Sequence, residues 1–256
     1  MTTMTRYQRG TAEYAEAFAA LLRNYASREQ LYSALRDLVA QFPSDAVAID
    51  WGAGTGDLTR ILLESVAAVY SVEPSAAMRS ALAANCPAAR IIDGTIMSAD
   101  PPHSAQVAVL SHVLYHVPEC EWESHVTRAA NFLSTDGVLL IALKDAESGC
   151  NRMLEYFGAP RFDLLREMAR VLRRHKEFDF AFSHSCHSVR TTSFSDTLQI
   201  ARFMMSDRPA EAFIALPTEA QFRDYVRTHF WDEEKKAGGW RTGDVYCLVR
   251  RNPRWG

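Results

Sequence analysis

The chain has 256 residues, 48% of them hydrophobic, and a formal net charge of −3 at pH 7. These values predict a folded protein with a large core, arranged as one elaborated domain, and they exclude the basic surface that nucleic-acid binding needs. No apolar stretch approaches the roughly 20 residues of a membrane helix, and the polar N-terminus "MTTMTRYQRG" lacks the core of a signal peptide. We therefore expect a cytoplasmic protein with no membrane or nucleic-acid partner.

The predicted elements begin with two helical segments, residues 10–25 and 27–42, the second capped by Ser27. Apolar runs of strand length then alternate with helical patterns. Strands are predicted at 46–50, 67–73, 89–93, 106–111 and 137–143, and helices at 56–64, 75–84 and 120–133. Further on, helical stretches are predicted at 151–175, 193–207 and 217–230, and strands at 178–189 and 244–251. Near-continuous apolar strands joined by helices are typical of a doubly wound, mostly parallel sheet, so the predicted fold class is α/β.

Three glycines occupy the turn "DWGAGTG" between the first strand of this sheet and the next helix. They are Gly52, Gly54 and Gly56, and they follow Asp50 at the strand end. Such a turn lets the backbone approach a ligand closely. The spacing differs from the dinucleotide G-x-G-x-x-G, and the G-K-[ST] of a phosphate loop is missing. The turn therefore predicts a ligand site without specifying phosphates.

Two carboxylates end the following strands. Glu73 ends the second strand, where a carboxylate can accept hydrogen bonds from both hydroxyls of a ribose. Asp93 ends the third strand, in position for an adenine amino group. Together with the glycine turn, these acids predict an adenosine ligand.

This combination resembles the class I S-adenosylmethionine-dependent methyltransferases. "DWGAGTG" is similar to their first motif, "VEP" to their second and "IIDG" to their third, over residues 46–143. The resemblance implies a Rossmann-like methyltransferase fold and S-adenosylmethionine as cofactor, with the glycines under the methionine part, Glu73 on the ribose and Asp93 facing the adenine. The cofactor-binding residues that it implies are Asp50, Gly52, Gly54, Gly56, Glu73, Pro74, Met78, Asp93, Gly94, Thr95 and Ser111. For Met78, packing in the core is the alternative. The expected organisation is a single domain over 1–256, with a helical cap (1–43), a cofactor-binding core (44–145) and substrate-side additions with the last strands (146–256).

A narrower resemblance extends outside the core. "EYAEAFAALLRN", "VEPSAAM", "HVLYHVPE", the "SG" and "LEYFG" of residues 148–158 and a final apolar strand follow the same order as in histamine N-methyltransferase and its relatives. This order implies a small-molecule acceptor methylated on nitrogen. Aromatic pocket positions of that family fall on Cys150 and Leu154, and its glutamine falls on His112, which implies an acceptor other than histamine.

The segment after the fourth strand supplies the candidate catalytic residues His112, Tyr115 and His116, which are also expected to bind the acceptor. Histidine is the side chain best suited to take a proton near neutral pH. The alternative is that these rings only line the pocket. A metal site is not predicted, because the two histidines have no third ligand nearby in the sequence.

Two further features are open to a functional and a structural interpretation. In "HSCH" the alternation of a strand puts His184 and Cys186 on one side and His187 on the other, which favours a solvated strand over a metal site. Glu29 is a candidate to neutralise a cationic acceptor, as a glutamate does in the related family. Arg28 competes for that position, and a first-turn acid stabilised by the helix dipole is the structural interpretation.

The sequence thus predicts an S-adenosylmethionine-dependent methyltransferase of a small molecule, with nitrogen as the preferred acceptor atom. The alternatives are an O-methyltransferase of a natural product and a non-catalytic cofactor-binding subunit. The oligomeric state is not predicted.

Overall fold

The computed structural model describes residues 2–8, 11–25, 29–101, 104–206, 208 and 210–252. Its helices are α1 (Ala12–Asn24), α2 (Glu29–Val39), α3 (Asp57–Leu63), α4 (Ala76–Asn85), α5 (Trp122–Asn131), α6 (Gly149–Tyr156), α7 (Leu164–Arg174), α8 (Phe194–Ser206) and α9 (Glu219–Phe230). Its strands are β1 (Val47–Trp51), β2 (Ala68–Glu73), β3 (Arg90–Asp93), β4 (Ala105–Ser111), β5 (Leu133–Lys144), β6 (Phe178–Thr191), β7 (Trp231–Asp232) and β8 (Ala237–Arg251). The predicted cap Ser27 and the alternative residue Arg28 lie outside the described residues.

Within the described ranges, eight strands form one sheet in the order β3-β2-β1-β4-β5-β8-β6, with β7 paired to β8. The pairs β1–β2, β2–β3, β1–β4 and β4–β5 are parallel, and β7–β8 is antiparallel. The apolar run of β5 is almost completely buried, as expected for a strand covered on both faces. The predicted fold class, an α/β doubly wound and mostly parallel sheet, is confirmed.

The strand order changes direction at β1, since β2 and β3 follow on one side and β4 and β5 on the other. In open α/β sheets, ligands bind beyond the carboxyl ends of the strands at such a switch point. The residues that follow β1, β2 and β4 therefore lie where a ligand site is expected.

The chain divides into two compact units, each built from separate segments. The first unit comprises Met1–Arg28, Lys144–Asp163 and His184–Asp244, and the second comprises Glu29–Leu143, Leu164–Ser183 and Val245–Gly256. The core of the first unit contains buried side chains of α1, α6, α8 and α9. The core of the second unit contains the apolar residues of β1, β4 and β5 together with those of α2 and α3.

The two helices of the predicted N-terminal cap belong to different units. α1 contributes Ala17, Ala20 and Leu21 to the core of the first unit. α2 buries Leu35 and its other apolar residues in the core of the second unit, and its Arg36 Nε lies 2.9 Å from Oε2 of Glu64, the residue that follows α3. The apolar face of α2 is therefore occupied by packing within its own unit.

The helical stretch predicted at 151–175 is interrupted. α6 ends at Tyr156, and Gly158 follows with φ +84°, a left-handed conformation that favours glycine and ends helices. Pro160 cannot continue a helix because it lacks the backbone N–H. The helix predicted at 120–133 is shorter than expected, since Leu133 already begins β5.

Across the described residues, every helix is too short or too polar to cross a lipid bilayer.

Candidate active site

In the glycine turn after β1, the three positions hold glycine for different structural reasons. A methyl group on Gly52 would overlap the side chain of Val113, and one on Gly56 would lie 2.7 Å from Leu82 Cδ1. A methyl group on Gly54 would meet no atom of the described residues within 4 Å, although its φ of +57° favours glycine. Neighbouring side chains thus exclude larger residues at the first and third positions, whereas the backbone at Gly54 faces open space.

The backbone of this turn is fixed to β2. The amides of Gly52 and Ala53 both donate to the carbonyl oxygen of Val72, at 2.8 and 3.0 Å. The next amide, that of Gly54, donates to Glu73 Oε2 at 2.9 Å. The turn is therefore held in one conformation by the end of the neighbouring strand.

Glu73 connects the glycine turn to the start of α4. Its Oε1 accepts a hydrogen bond from the Ser75 amide at 2.8 Å, while its Oε2 is held by Gly54. The Ser75 hydroxyl in turn caps α4 by accepting from the Met78 amide. The predicted ribose acid thus also orders the backbone around it, which its position in the sequence did not indicate.

The sheet register pairs Glu73 with Asp93, so the two predicted adenosine acids end neighbouring strands side by side. Arg79 joins these strand ends. Its Nη1 donates to the carbonyl oxygens of Glu73 and Pro74 at 2.9 and 2.7 Å, and it lies 2.8 Å from Asp93 Oδ1. Arg79 was not among the predicted site residues, although its place one helical turn after the cap Ser75 was a signal that it would reach these strand ends.

The remaining predicted adenosine residues lie at the surface. The Asp93 side chain is 70% exposed, and Met78 is 36% exposed, so Met78 does not pack in the core. Thr95 is also accessible, and its amide donates to Ser98 Oγ at 2.9 Å, which closes a short turn after Gly94. These side chains are available to a ligand.

Asp50 lies below the glycine turn and is buried. Thr59 Oγ1 donates to its Oδ2 at 2.7 Å, and Thr59 Oγ1 lies 2.9 Å from Ser71 Oγ. Burial raises the pKa of Asp50 to about 6, although the hydrogen bonds from Thr59 oppose this shift. Asp50 therefore links the end of β1 to α3 through Thr59, and its carboxyl group is an unusually weak acid.

The residues after β4 bring two of the three predicted catalytic side chains together. His112 Nδ1 lies 3.1 Å from the Tyr115 hydroxyl, and the rings are stacked with centroids 5.7 Å apart. His112 has φ +57°, a conformation that L-residues other than glycine rarely adopt, and such strain is concentrated at functional sites. His116 is exposed and belongs to a short 3-10 turn, so it does not share a helical face with His112.

Glu29 begins α2 and is exposed, in the first turn where the helix dipole favours an acid. None of the hydrogen bonds found among the described side chains joins it to another predicted site residue. The position of Glu29 is therefore explained by the helix dipole, which stabilises an acid in the first turn.

Several predicted features of the later segments lie in the first unit. Cys150 and Leu154 are buried on α6. In "HSCH", His184 and Cys186 are exposed on β6 as predicted, but His187 is not solvated: its side chain is fully buried and its Nε2 lies 3.3 Å from Asp244 Oδ2. The prediction of a solvated strand is wrong for His187, because a buried carboxylate on the neighbouring strand β8 holds it.

The same unit contains a buried polar cluster that was not predicted from the sequence. Lys144 Nζ lies 3.0 Å from Asp244 Oδ1, and the Tyr25 hydroxyl donates to Asp244 Oδ2 at 3.1 Å. Burial alone would lower the pKa of Lys144, but Asp244, Tyr25 and Cys150 together outweigh burial and raise it. Burial raises the pKa of Tyr25 to about 12. The signal in the sequence was a lysine directly after the apolar run of β5.

Within the part of the chain that the structure describes, there is no group of three or more His, Cys, Asp or Glu side chains that would hold a metal ion.

Comparison with known proteins places these features in a family. A family model described as "Methyltransferase domain" matches residues 23–179, more than half of the chain. An uncharacterized methyltransferase of Geobacillus kaustophilus is 28% identical over 138 residues, which are 53% of this chain and 60% of that relative. The chain thus spans about three fifths of the length of this curated relative.

Solved structures share the fold. The YcgJ protein of Bacillus subtilis superimposes with a TM-score of 0.62 at 14% sequence identity, covering 86% of this chain and 99% of its own. The N-methyltransferase NodS of Bradyrhizobium japonicum, solved in complex with S-adenosyl-L-homocysteine, has a TM-score of 0.55 at 9% identity and covers 95% of this chain and 100% of its own.

The segment that matches the family model includes the glycine turn, Glu73 and the residues after β4. The chain therefore belongs to the methyltransferase-domain family.

Proposed function

We propose that this chain is a cytoplasmic enzyme that transfers the methyl group of S-adenosylmethionine to a small molecule, with nitrogen as the preferred acceptor atom. The observation that carries the proposal is the open space beside Gly54, whose amide is held by Glu73 at the carboxyl end of β2. The glycine turn and the Glu73 carboxylate lie together where the strand order changes direction. This arrangement fits a ligand with a nucleoside and no phosphates.

The residues at the strand ends fit the parts of this cofactor. Gly54 leaves room for the methionine part. Each carboxylate oxygen of Glu73 has one amide partner and keeps a lone pair for a ribose hydroxyl. Exposed Met78 and Asp93 are available to the adenine ring and its amino group. The other residues proposed to line the cofactor are Asp50, Gly52, Gly56, Pro74, Gly94, Thr95 and Ser111.

Methyl transfer from a sulfonium asks mainly for position, because the methyl carbon is already electrophilic. The protein has to hold the acceptor atom in line with the S–CH3 bond and exclude water. His112 and Tyr115, which form a hydrogen-bonded pair at the end of β4, are proposed to line the acceptor together with His116. An amine acceptor has to be neutral, whereas a hydroxyl or an acidic ring nitrogen gains from a base such as His112.

Nitrogen is preferred for two reasons. The landmarks along the chain follow the order found in histamine N-methyltransferase and its relatives, and NodS, which shares the fold, is itself an N-methyltransferase. Membership of the histamine N-methyltransferase-like branch stays a prediction, as does the proposed contact of Glu29 with a cationic acceptor.

The test is a screen with methyl-labelled S-adenosylmethionine against pooled amines, phenols and heterocycles. Transfer of label to a nitrogen compound is the expected result, and Glu73→Ala serves as the control in which transfer at low cofactor concentration should be weaker. Label only on phenols would make the chain an O-methyltransferase. Tight cofactor binding without any transfer would favour the non-catalytic subunit.

A further inference from the structure

Arg79 occupies an unusual position for a cation. It lies near the start of α4, where its amide donates to the carbonyl oxygen of the cap residue Ser75 at 2.9 Å. The helix dipole disfavours a basic side chain at this end of a helix. Helical side chains lean towards the N-terminus, and Arg79 accordingly reaches back to the ends of β2 and β3. The contacts that it makes there offset the unfavourable position of its charge.

The guanidinium of Arg79 is fixed to the backbone at the end of β2. Its Nη1 donates to the carbonyl oxygens of Glu73 and Pro74 at 2.9 and 2.7 Å. This part of the backbone is itself held, because the Glu73 carboxylate accepts from the amides of Gly54 and Ser75. The Arg79 side chain is only 21% exposed. Its charge is therefore held at one place beside the strand ends.

The same nitrogen of Arg79 contacts the carboxylate of Asp93. Nη1 lies 2.8 Å from Asp93 Oδ1, although the Asp93 side chain is 70% exposed. An ion pair with so exposed a partner contributes little to the stability of a fold. An exposed aspartate without this contact would move among its rotamers, and a ligand would have to order it on binding. The contact with Arg79 therefore matters more for ligand binding than for folding.

Asp93 can still accept hydrogen bonds from a ligand. A carboxylate has two acceptor oxygens with about four lone-pair positions and no donor, and Arg79 is in contact with one of these oxygens. The carboxylate therefore attracts an N–H group and repels a carbonyl oxygen. The sheet register sets Asp93 beside Glu73, the proposed ribose acid, so the base of a nucleoside held by Glu73 can reach it.

We propose that Arg79 determines the base specificity of the cofactor site, because it holds the Asp93 carboxylate in the orientation that accepts the exocyclic amino group of adenine. Arg79 acts through Asp93 and is therefore a positioning residue. The inference rests on the proposed function, since it takes the ligand of this site to be S-adenosylmethionine. The pair selects an aminopurine over a purine that lacks the amino group.

The experiment removes the donor of the ligand and the donor of the protein in turn. The two ligands are S-adenosyl-L-homocysteine and its deamino analogue, in which a hydrogen atom replaces the exocyclic amino group and no new donor appears. Calorimetry gives Kd for both ligands, and the ratio of the two values measures the selectivity for the amino group. Wild-type protein should bind S-adenosyl-L-homocysteine roughly 10-fold or more tightly than the analogue.

Arg79→Met keeps most of the length of the side chain and removes its donors. Its selectivity should fall by roughly 3-fold or more, because the affinity for S-adenosyl-L-homocysteine falls and the affinity for the analogue changes less. Arg79→Lys keeps a cation and should retain more of the selectivity than Arg79→Met. A partial loss in Arg79→Lys is the test if Arg79→Met does not fold, which circular dichroism shows.

A double variant tests whether Arg79 acts through Asp93. Asp93→Ala should lose the selectivity, and adding Arg79→Met to Asp93→Ala should cause no further loss of selectivity. A further loss in the double variant would refute the positioning role.

Arg174→Met is the matched control. Arg174 Nη1 lies 2.6 Å from Glu123 Oε2, so this variant also removes an arginine from an exposed ion pair, and neither partner is a predicted site residue. Kd for both ligands should equal that of wild type. A loss of selectivity in Arg174→Met as large as in Arg79→Met would refute the specific role of Arg79.

The remaining outcomes separate the two levels of the proposal. A wild-type protein that binds neither ligand would refute the proposed function itself. Equal affinity of wild type for the two ligands would refute only the base specificity. An Arg79→Met variant that loses the same factor for both ligands would also refute it, and would show that Arg79 serves only the backbone at Glu73 and Pro74.

Discussion

Replacing Gly54 by alanine tests whether the open space beside the glycine turn receives the cofactor. The added methyl meets no atom of the described residues within 4 Å, so its effect on folding is limited to the backbone. A left-handed conformation costs an L-residue about 1–2 kcal/mol relative to glycine. For a chain of this size, that lowers Tm by about 2–4 °C per kcal/mol.

The same methyl group would enter the space that the methionine part of the cofactor needs. We expect the affinity for S-adenosylmethionine to fall at least roughly 10-fold, about 1.4 kcal/mol, while the folded state persists. Isothermal titration calorimetry measures the affinity, and thermal unfolding followed by circular dichroism measures the stability.

Gly56→Ala is the matched control. Its φ of +97° lies further from the left-handed minimum of L-residues than the +57° of Gly54, and its added methyl would lie 2.7 Å from Leu82 Cδ1 and 2.8 Å from Cys86 Sγ. Overpacking adds about 1–3 kcal/mol, so this variant should lose more stability than Gly54→Ala. Wild-type cofactor affinity in Gly54→Ala would refute the assignment of the open space to the ligand. Equal losses of stability in the two variants would contradict the packing difference between the two positions.

Three further predictions concern Glu73, Asp50 and His112. Glu73→Ala removes the ribose acceptor and the carboxylate that holds the Gly54 amide, so calorimetry should show a loss of about 1.5–3 kcal/mol in cofactor binding, and unchanged affinity would mean that the adenosine site is misplaced. The raised pKa of Asp50, about 6, means that the native state binds its proton more tightly than the unfolded state, so the contribution of Asp50 to stability is present below about pH 4 and is lost as pH rises to 6. Measured by urea unfolding, the free energy of unfolding of Asp50→Asn relative to wild type should rise by up to about 3 kcal/mol between about pH 4 and 6. A difference that does not change with pH would contradict the burial argument. His112→Asn keeps a residue that tolerates φ +57° and removes the imidazole, so a proton-accepting role predicts a roughly 10²-fold loss of kcat with cofactor affinity intact, whereas a rise in acceptor KM alone would make the ring a pocket wall.

The sheet was predictable because its strands are buried on both faces. Apolar runs such as 137–143 are readable without knowledge of their partners, and they appear in the structure as β1 to β5 in the expected order. The interruption of the stretch 151–175 was foreshadowed by Gly158 and Pro160, two residues that end helices. The start of β5 at Leu133 was not readable, because polar residues between Leu133 and Val138 hide it.

The cofactor side was predictable where its chemistry is local in the sequence. The glycine turn and Glu73 lie about 20 residues apart in one β-α-β unit, a spacing that follows from the fold. The contact between Tyr25 and Asp244 joins residues 219 positions apart, and no local pattern indicates such a pair. The left-handed backbone of His112 was equally hidden: histidine adopts a positive φ more often than most residues, but still too rarely for the residue type to mark the position in advance.

The chain returns to each unit from distant parts of the sequence, and this has a consequence for how the protein is made. The amide of Met4 donates to the carbonyl oxygen of Pro217 at 2.9 Å, and Thr3 forms a bridge with Thr218 in the same unit. In the second unit, the Asn252 amide donates to the Glu177 carbonyl oxygen at 2.7 Å. Contacts of such long sequence separation slow folding, because the loops they close have to be ordered first. During synthesis, Met4 cannot contact Pro217 until more than 200 further residues have been made. Chaperones that bind nascent apolar segments therefore have a long period in which to act.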